Sequence, residues 1–182
     1  MDHLDLQNTR WIDPPARLVD IASRIGVPVT RLGIVPNFLN AATDLRGTVW
    51  IGEPLLRQLS CEDIEAVVAH ELAHATWFRT QAFQRTVLLA AMIWHEFSMR
   101  LRRLHPLLAL ICWQELGHIL HWMLTPCRWS RECSADAVAA EVVGKERMQV
   151  ALANLRQLRG LPDLPSVDHP PLGFRIACLS LN

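Results

Sequence analysis

The chain has 182 residues, enough for one domain with its own core. Hydrophobic residues make up 51% and charged residues 20%, and 18 Lys+Arg balance 18 Asp+Glu, so the zero net charge excludes partners captured by bulk charge, nucleic acid first among them. Five cysteines (Cys61, Cys112, Cys127, Cys133, Cys178) without paired spacing exclude a disulfide framework or a Cys-x-x-Cys metal site, and the polar start MDHLDLQNTR lacks an apolar signal core, so a reducing, cytoplasmic setting is expected.

In chain order, Asp13-Pro14-Pro15 reads as an N-cap followed by proline at the first helical position. Leu18, Val19, Ala22 and Ile25 then recur at helical spacing up to Gly26, which ends the helix. VTRLGIVP and GTVWIGE are short, rich in β-branched residues and bounded by Gly and Pro, and predict two strands joined by a turn-like NAATDLRG. Ser60 with Asp63 three residues later is a capping box that opens a helix near Cys61.

Residues 80–126 hold two hydrophobic segments, TVLLAAMIW and HPLLALICWQELGHILHWML, split by Arg100, Arg102 and Arg103, with Pro106 at a helix start. They predict an inserted helical hairpin. A spanning helix needs about 20 apolar residues. The first segment is too short, and the second carries Glu115, His118 and His121, so a hairpin packed beside the active-site cleft is expected. Peripheral membrane contact through a basic interfacial hairpin stays open. Glu115, His118 and His121 share a helix face but find no partner element for a second metal, and read as amphipathic packing or a lid. Trp94, Trp113, Trp122 and Trp129 read as core or interface anchors. SRECSADAVAAEVVG predicts a short helix from near Ser130 to Gly144, KERMQVALANLRQLRG a second, LPDLPSVDHPP a loop, and LGFRIACLSL a closing helix.

The chemistry lies in HELAH. His70 and His74 are four apart and share a helix face, so both imidazoles can reach one metal ion. Glu71 projects beside that face, placed to act as a general base on water at the metal. The plainer reading is a pair of capped core or surface histidines, but an apolar face carrying His, Glu and His is costly unless something pairs with them. A catalytic zinc of this kind needs a third protein ligand and one open position. RECSAD offers Glu132 to complete the coordination, and Asp136, one turn on, to hold the outer nitrogen of a ligand histidine. Alone, that acidic pair would read as a solvated face. Cys133, directly after Glu132, reads as a small buried helix residue rather than a thiolate that regulates the metal.

With these residues the chain resembles the zinc metallopeptidases of the HtpX and CAAX-prenyl-protease type, among the gluzincins. The carrying motifs are HELAH, 57 intervening residues, then ECSAD, with LNAATDLRGTVWIGEPLL before them and DHPPLGFRI after, from about Asn37 to Leu179. The resemblance implies an α+β, mainly helical fold, a compact gluzincin domain over residues 1–182 with a small sheet beside the metal helix. It implies one Zn²⁺ per chain on His70, His74 and Glu132, with Asp136 behind them and Glu71 as catalytic base. His169 and Arg175 would line the cleft and stabilise the oxyanion, in a chain that has no tyrosine for that task. Asn40 and Ala41, with Val49, Trp50 and Ile51 of an exposed edge strand, would hold an extended peptide or protein substrate. The expected activity is zinc-dependent peptide-bond hydrolysis. Two other readings stay open: a zinc hydrolase dedicated to one peptide or amide of a biosynthetic pathway, and a non-catalytic zinc-containing binding module.

Overall fold

The computed structural model describes residues 8–44, 46–79, 128–160 and 169–181, with eight helical positions between 89 and 103. Most of the expected hairpin, including Glu115, His118, His121 and three of the four tryptophans, lies outside the described residues. Four strands are described: β1 (Arg10–Ile12), β2 (Arg31–Val35), β3 (Ala41–Thr43) and β4 (Thr48–Gly52). The helices that build the site and its support are α1 (Ala16–Ile25), α2 (Glu53–Gln58), α3 (Cys61–Arg79), α4 (128–143), α5 (Lys145–Arg159) and α6 (Leu172–Leu181). The result is an α+β fold, mainly helical with a small mixed sheet, as expected.

The sheet runs β1-β2-β4-β3, with β2 and β4 parallel and the two outer pairings antiparallel. This corrects the sequence reading in two places. The segment NAATDLRG is not all turn: Ala41–Thr43 form β3, and only the residues after it reverse the chain. Asp44 drives that reversal, its Oδ1 accepting from the backbone N–H of Arg46 at 2.9 Å and Thr48 at 2.8 Å. Gly47 completes it at φ 83, where a Cβ would stand 1.8 Å from the Pro28 carbonyl oxygen. Second, β4 is interior rather than an edge. Val49 and Ile51 are buried at 0% and 1% exposure, and Trp50 turns to the opposite face, edge-on to Trp11 with ring centroids 6.5 Å apart. With both sides of β4 paired, these three residues cannot receive a peptide strand, and the edge beside the metal helix is β3.

The helix ends follow their local chemistry. Both Pro14 and Pro15 precede α1, whose N-cap is Pro15 itself in an extended conformation (ψ 146), so no proline occupies the first helical turn. Gly26 closes α1 at φ 82, as its position suggested. The capping box before α3 is formed: Ser60 Oγ accepts from Asp63 N–H at 3.1 Å, and Asp63 Oδ2 accepts from Ser60 N–H at 3.2 Å. Asp63 Oδ2 also accepts from Asn154 Nδ2 at 3.1 Å, which ties the start of α3 to α5.

From Asp63 to Ala75, α3 is buried around most of its circumference, with Ala66, Val68, Ala69 and Leu72 at 0% exposure. α1, α5 and β3 pack around it, and the polar groups Glu71 and His74 on its inner half face the cleft. Met148, Ala151, Leu152 and Leu155 of α5, and Leu172 and Leu179 of α6, complete this core. A helix so enclosed is a rigid platform for any group it projects. Among the described residues no helix is long and apolar enough to cross a membrane.

Candidate metal centre

Four elements converge at the C-terminal half of α3. α3 supplies His70, Glu71 and His74, α4 supplies Glu132 and Asp136, α6 supplies Arg175, and the turn before α6 supplies His169. One helical turn separates His70 from His74, and their Nε2 atoms meet at 3.0 Å. Glu132 closes the triangle: its Oε1 is 3.0 Å from His74 Nε2, and its Oε2 is 3.5 Å from His70 Nε2. Among the described residues this is the one group of three His, Cys, Asp or Glu side chains whose ligand atoms could share an ion, all within 4.8 Å of one another.

These separations fit a metal. Tetrahedral zinc with bonds of about 2.0–2.1 Å sets neighbouring ligand atoms about 3.3 Å apart, and the observed 3.0–3.5 Å separations bracket that spacing. Two imidazole nitrogens with lone pairs facing each other at 3.0 Å repel unless a proton or a cation lies between them. Glu132 is 1% exposed, and its Oε2 has no hydrogen-bond partner. His169 Nδ1 at 3.1 Å and Arg175 Nη1 at 3.4 Å are close to that oxygen but do not meet it at a hydrogen-bonding angle. A buried carboxylate oxygen without a hydrogen bond is costly, and a divalent cation held by the three side chains would satisfy it.

Behind the triangle the bracing is specific. His70 Nδ1 lies 2.8 Å from Asp136 Oδ1. Arg175 Nη2 is also near Nδ1, at 3.1 Å. Asp136 can only accept, so Nδ1 carries the hydrogen and donates it, which leaves the Nε2 lone pair aimed at the triangle in neutral His70. Arg175 grips Asp136 with two N–H groups, Nε to Oδ2 at 2.7 Å and Nη2 to Oδ1. Among the described residues His74 has no such support: its Nδ1 is buried without a hydrogen-bond partner there.

The protonation states follow. Burial opposes the charge of Glu132, but contacts to His169, His70 and His74 outweigh it and hold the carboxyl well below the usual range. Asp136 is likewise lowered, with burial overcome by Arg175 and His70, and Arg175 is raised, its burial overcome by Asp136. Burial and the Arg175 charge push His70 down, yet bonds to Asp136 and Glu132 prevail and lift it to about 9. The two buried carboxylates therefore demand positive charge, and without a metal a proton on His70 helps to supply it.

A cleft of about 500 Å³ opens onto His74, Glu71 and Glu132. Asn40 and Ala41 line it, and so do Ala42, Thr43 and Asp44, which the turn-like reading of that segment passed over. Their signal is faint, because alanine is a weak strand former and three residues show no alternation. Arg131 and the half-exposed His169 stand on its wall. Arg175 does not: it is 6% exposed and spent on Asp136, which corrects its expected place in the cleft. Burial and Cys178 push the Cys133 thiol up to about 12, so at neutral pH it is no thiolate competing for the ion.

Known proteins align with this arrangement. The Peptidase family M48 model matches residues 15–181. Protease HtpX of Pseudoalteromonas atlantica is 25% identical over 98% of this chain and 73% of its own length. Protease HtpX of Haemophilus influenzae is 26% identical over 95% and 74%. A Protease HtpX homolog of Verminephrobacter eiseniae is 28% identical over 93% and 70%. The crystal structure of S. mikatae Ste24p shares the fold, with a TM-score of 0.72 at 18% identity over 94% of this chain, which spans about half, 51%, of that protein. Matched across nearly its whole length, with a His, His and Glu triangle at its centre, the chain belongs to peptidase family M48.

Proposed function

We propose that this M48 peptidase is a zinc-dependent endopeptidase, with the ion held by His70, His74 and Glu132 and with Glu71 as general base. The observation that carries this reading is the buried triangle of Nε2, Nε2 and carboxylate at 3.0–3.5 Å, open on one side to a cleft that Glu71 also lines. Zinc in such a site supplies a Lewis acid that polarises a carbonyl and brings the pKa of water to about 7.

The chain's own groups do the rest. Glu71, next to a ligand and on the cleft wall, takes the proton of the attacking water and returns it to the leaving amine. His169 is the N–H donor in reach of negative charge developing on the carbonyl oxygen. Arg175 acts one layer back: it fixes Asp136, and Asp136 fixes the ring of His70. β3 receives the substrate backbone. Gly52 N–H bonds to the Asn40 carbonyl, and Asp44 N–H to the Thr48 carbonyl, so residues 40, 42 and 44 face β4. By alternation, the backbone groups of Ala41 and Thr43 face the open edge, where an extended peptide can add as a strand. Main-chain pairing of this kind selects extended backbone more than particular side chains.

The test of the ligand set is metal content. Wild-type protein is expected to bind one zinc per chain, and Glu132→Ala to lose most of it together with peptidase activity. A Glu132→Ala protein with full zinc and full activity would remove Glu132 from the site. The non-catalytic reading is disfavoured by Glu71, a carboxylate on the cleft wall that holding a metal does not require.

A further inference from the structure

Cys133 and Cys178 lie 45 residues apart in sequence, on different helices, and their Sγ atoms are 2.8 Å apart. That gap is less than 1 Å longer than a disulfide bond of about 2.05 Å. Both are free thiols and half-buried, within reach of a small oxidant, whereas Cys61 is exposed at the start of α3. Cys133 is next to Glu132 on α4, and Cys178 is three residues beyond Arg175 on α6. The helices they join thus carry Asp136 and Arg175, the ion pair that braces His70. α6 is itself anchored, by Leu172 and Leu179 in the core and by Gln149 Nε2 donating to Ser180 Oγ at 3.0 Å. Neither cysteine is needed for the chemistry proposed above, and helix packing alone does not call for two sulfurs face to face.

We propose that Cys133 and Cys178 are a redox-active pair that closes to a disulfide and staples α4 to α6 beside the metal centre. The co-reactant is a small-molecule disulfide of the glutathione class. The Cys178 sulfur attacks it, its proton passing to the departing glutathione thiolate, so one reduced glutathione leaves and a mixed disulfide forms. The second protein thiol displaces the other glutathione, so an S–S bond joins the two cysteines. The protein loses two electrons and two protons, and the oxidised glutathione gains both as two thiols. The two sulfurs are preorganised at contact, which makes the second step intramolecular and favours the internal pair over a lasting mixed disulfide.

The test uses the full chain, equilibrated for hours in glutathione buffers of graded poise, quenched in acid, alkylated and digested with trypsin. Cleavage after Arg131, Lys145 and Arg175 puts Cys133 in peptide 132–145 and Cys178 in peptide 176–182. The expected result is one linked species joining these two peptides, 2 Da lighter than their sum. Its yield should follow the buffer poise, while Cys61 stays free or carries glutathione. Oxidation should also raise the thermal midpoint by about 5 °C or more, and Cys178→Ala should abolish both the linked species and the rise. No linked pair in the most oxidising buffer, or the same scrambled pairings as in denatured protein, would overturn the proposal. A linked pair with an unchanged or lowered midpoint would overturn the staple. The mass readout is independent of peptide cleavage, so it stands or falls apart from the hydrolytic reading.

Discussion

His70 is the side chain on which the centre turns, because it meets both other ligand candidates and both residues of the brace. Its Nε2 faces His74 and Glu132, and its Nδ1 is held by Asp136, which Arg175 holds in turn. Asp136→Asn keeps the shape of this link and removes its charge. We expect zinc affinity to fall about 10- to 100-fold, read by competition with a chromophoric chelator; unchanged affinity would detach Asp136 from the metal centre. The raised pKa of His70 sets a pH dependence. A ligand imidazole must be neutral, and in the metal-free protein His70 keeps its proton up to about 9. Protons therefore compete with the metal throughout the window below 9, and apparent affinity should drop about tenfold per pH unit from pH 9 to 7. An unperturbed imidazole would begin to compete only below about 6.5. A flat affinity between pH 7 and 9 would show that His70 is not the protonated partner of the two carboxylates. At this scale the sequence was readable for His70, Glu71 and His74, because helical spacing alone places them. It was misleading for Arg175, since a guanidinium's charge is visible in sequence but its burial is not.

Among the elements, β3 and α3 define the cleft between them. α3 contributes stiffness, with buried residues on most sides, and β3 contributes a row of backbone groups at Ala41 and Thr43 that no described strand pairs. Thr43→Pro deletes one outward N–H, and proline is tolerated at a sheet edge. If peptides add to this strand, the substitution should lower kcat/KM at least about tenfold and leave zinc content and thermal midpoint near wild type. Undiminished cleavage would place the substrate elsewhere. The long helices were legible from their capping residues and glycine stops: Ser60 with Asp63, Gly26 and Gly144 all mark boundaries as expected. Of the strands, β2 and β4 were legible and the three-residue pair was not. β1 and β3 have three residues each, too few to show a period of two, and their pairing depends on partners distant in sequence. That is why the edge was assigned to β4, whose stronger β-branched pattern marks a buried, doubly paired strand.

Across the whole molecule, the centre is assembled from parts of the chain that no local pattern joins. The Glu132 carboxylate returns to the histidines over 57 intervening residues, and Arg175 reaches His70 from 105 positions further along the chain. The order of the motifs, HELAH then ECSAD then DHPP with Arg175, carried that information where spacing could not. The M48 match over residues 15–181 agrees with it. The same distance hid the approach of Cys133 and Cys178, which no spacing rule pairs. What the assembled molecule should do is cut peptide bonds with Glu71 as its base, and one measurement addresses that directly. Zinc-loaded wild type and Glu71→Gln are incubated with a mixed peptide library, and new termini are read by mass spectrometry. We predict cleavage by the wild type, a loss of about 10²–10⁴-fold in the variant, and one zinc per chain in both. Equal cleavage by the two zinc-loaded proteins would contradict the account, because the carboxylate on the cleft wall would then have no part in the chemistry.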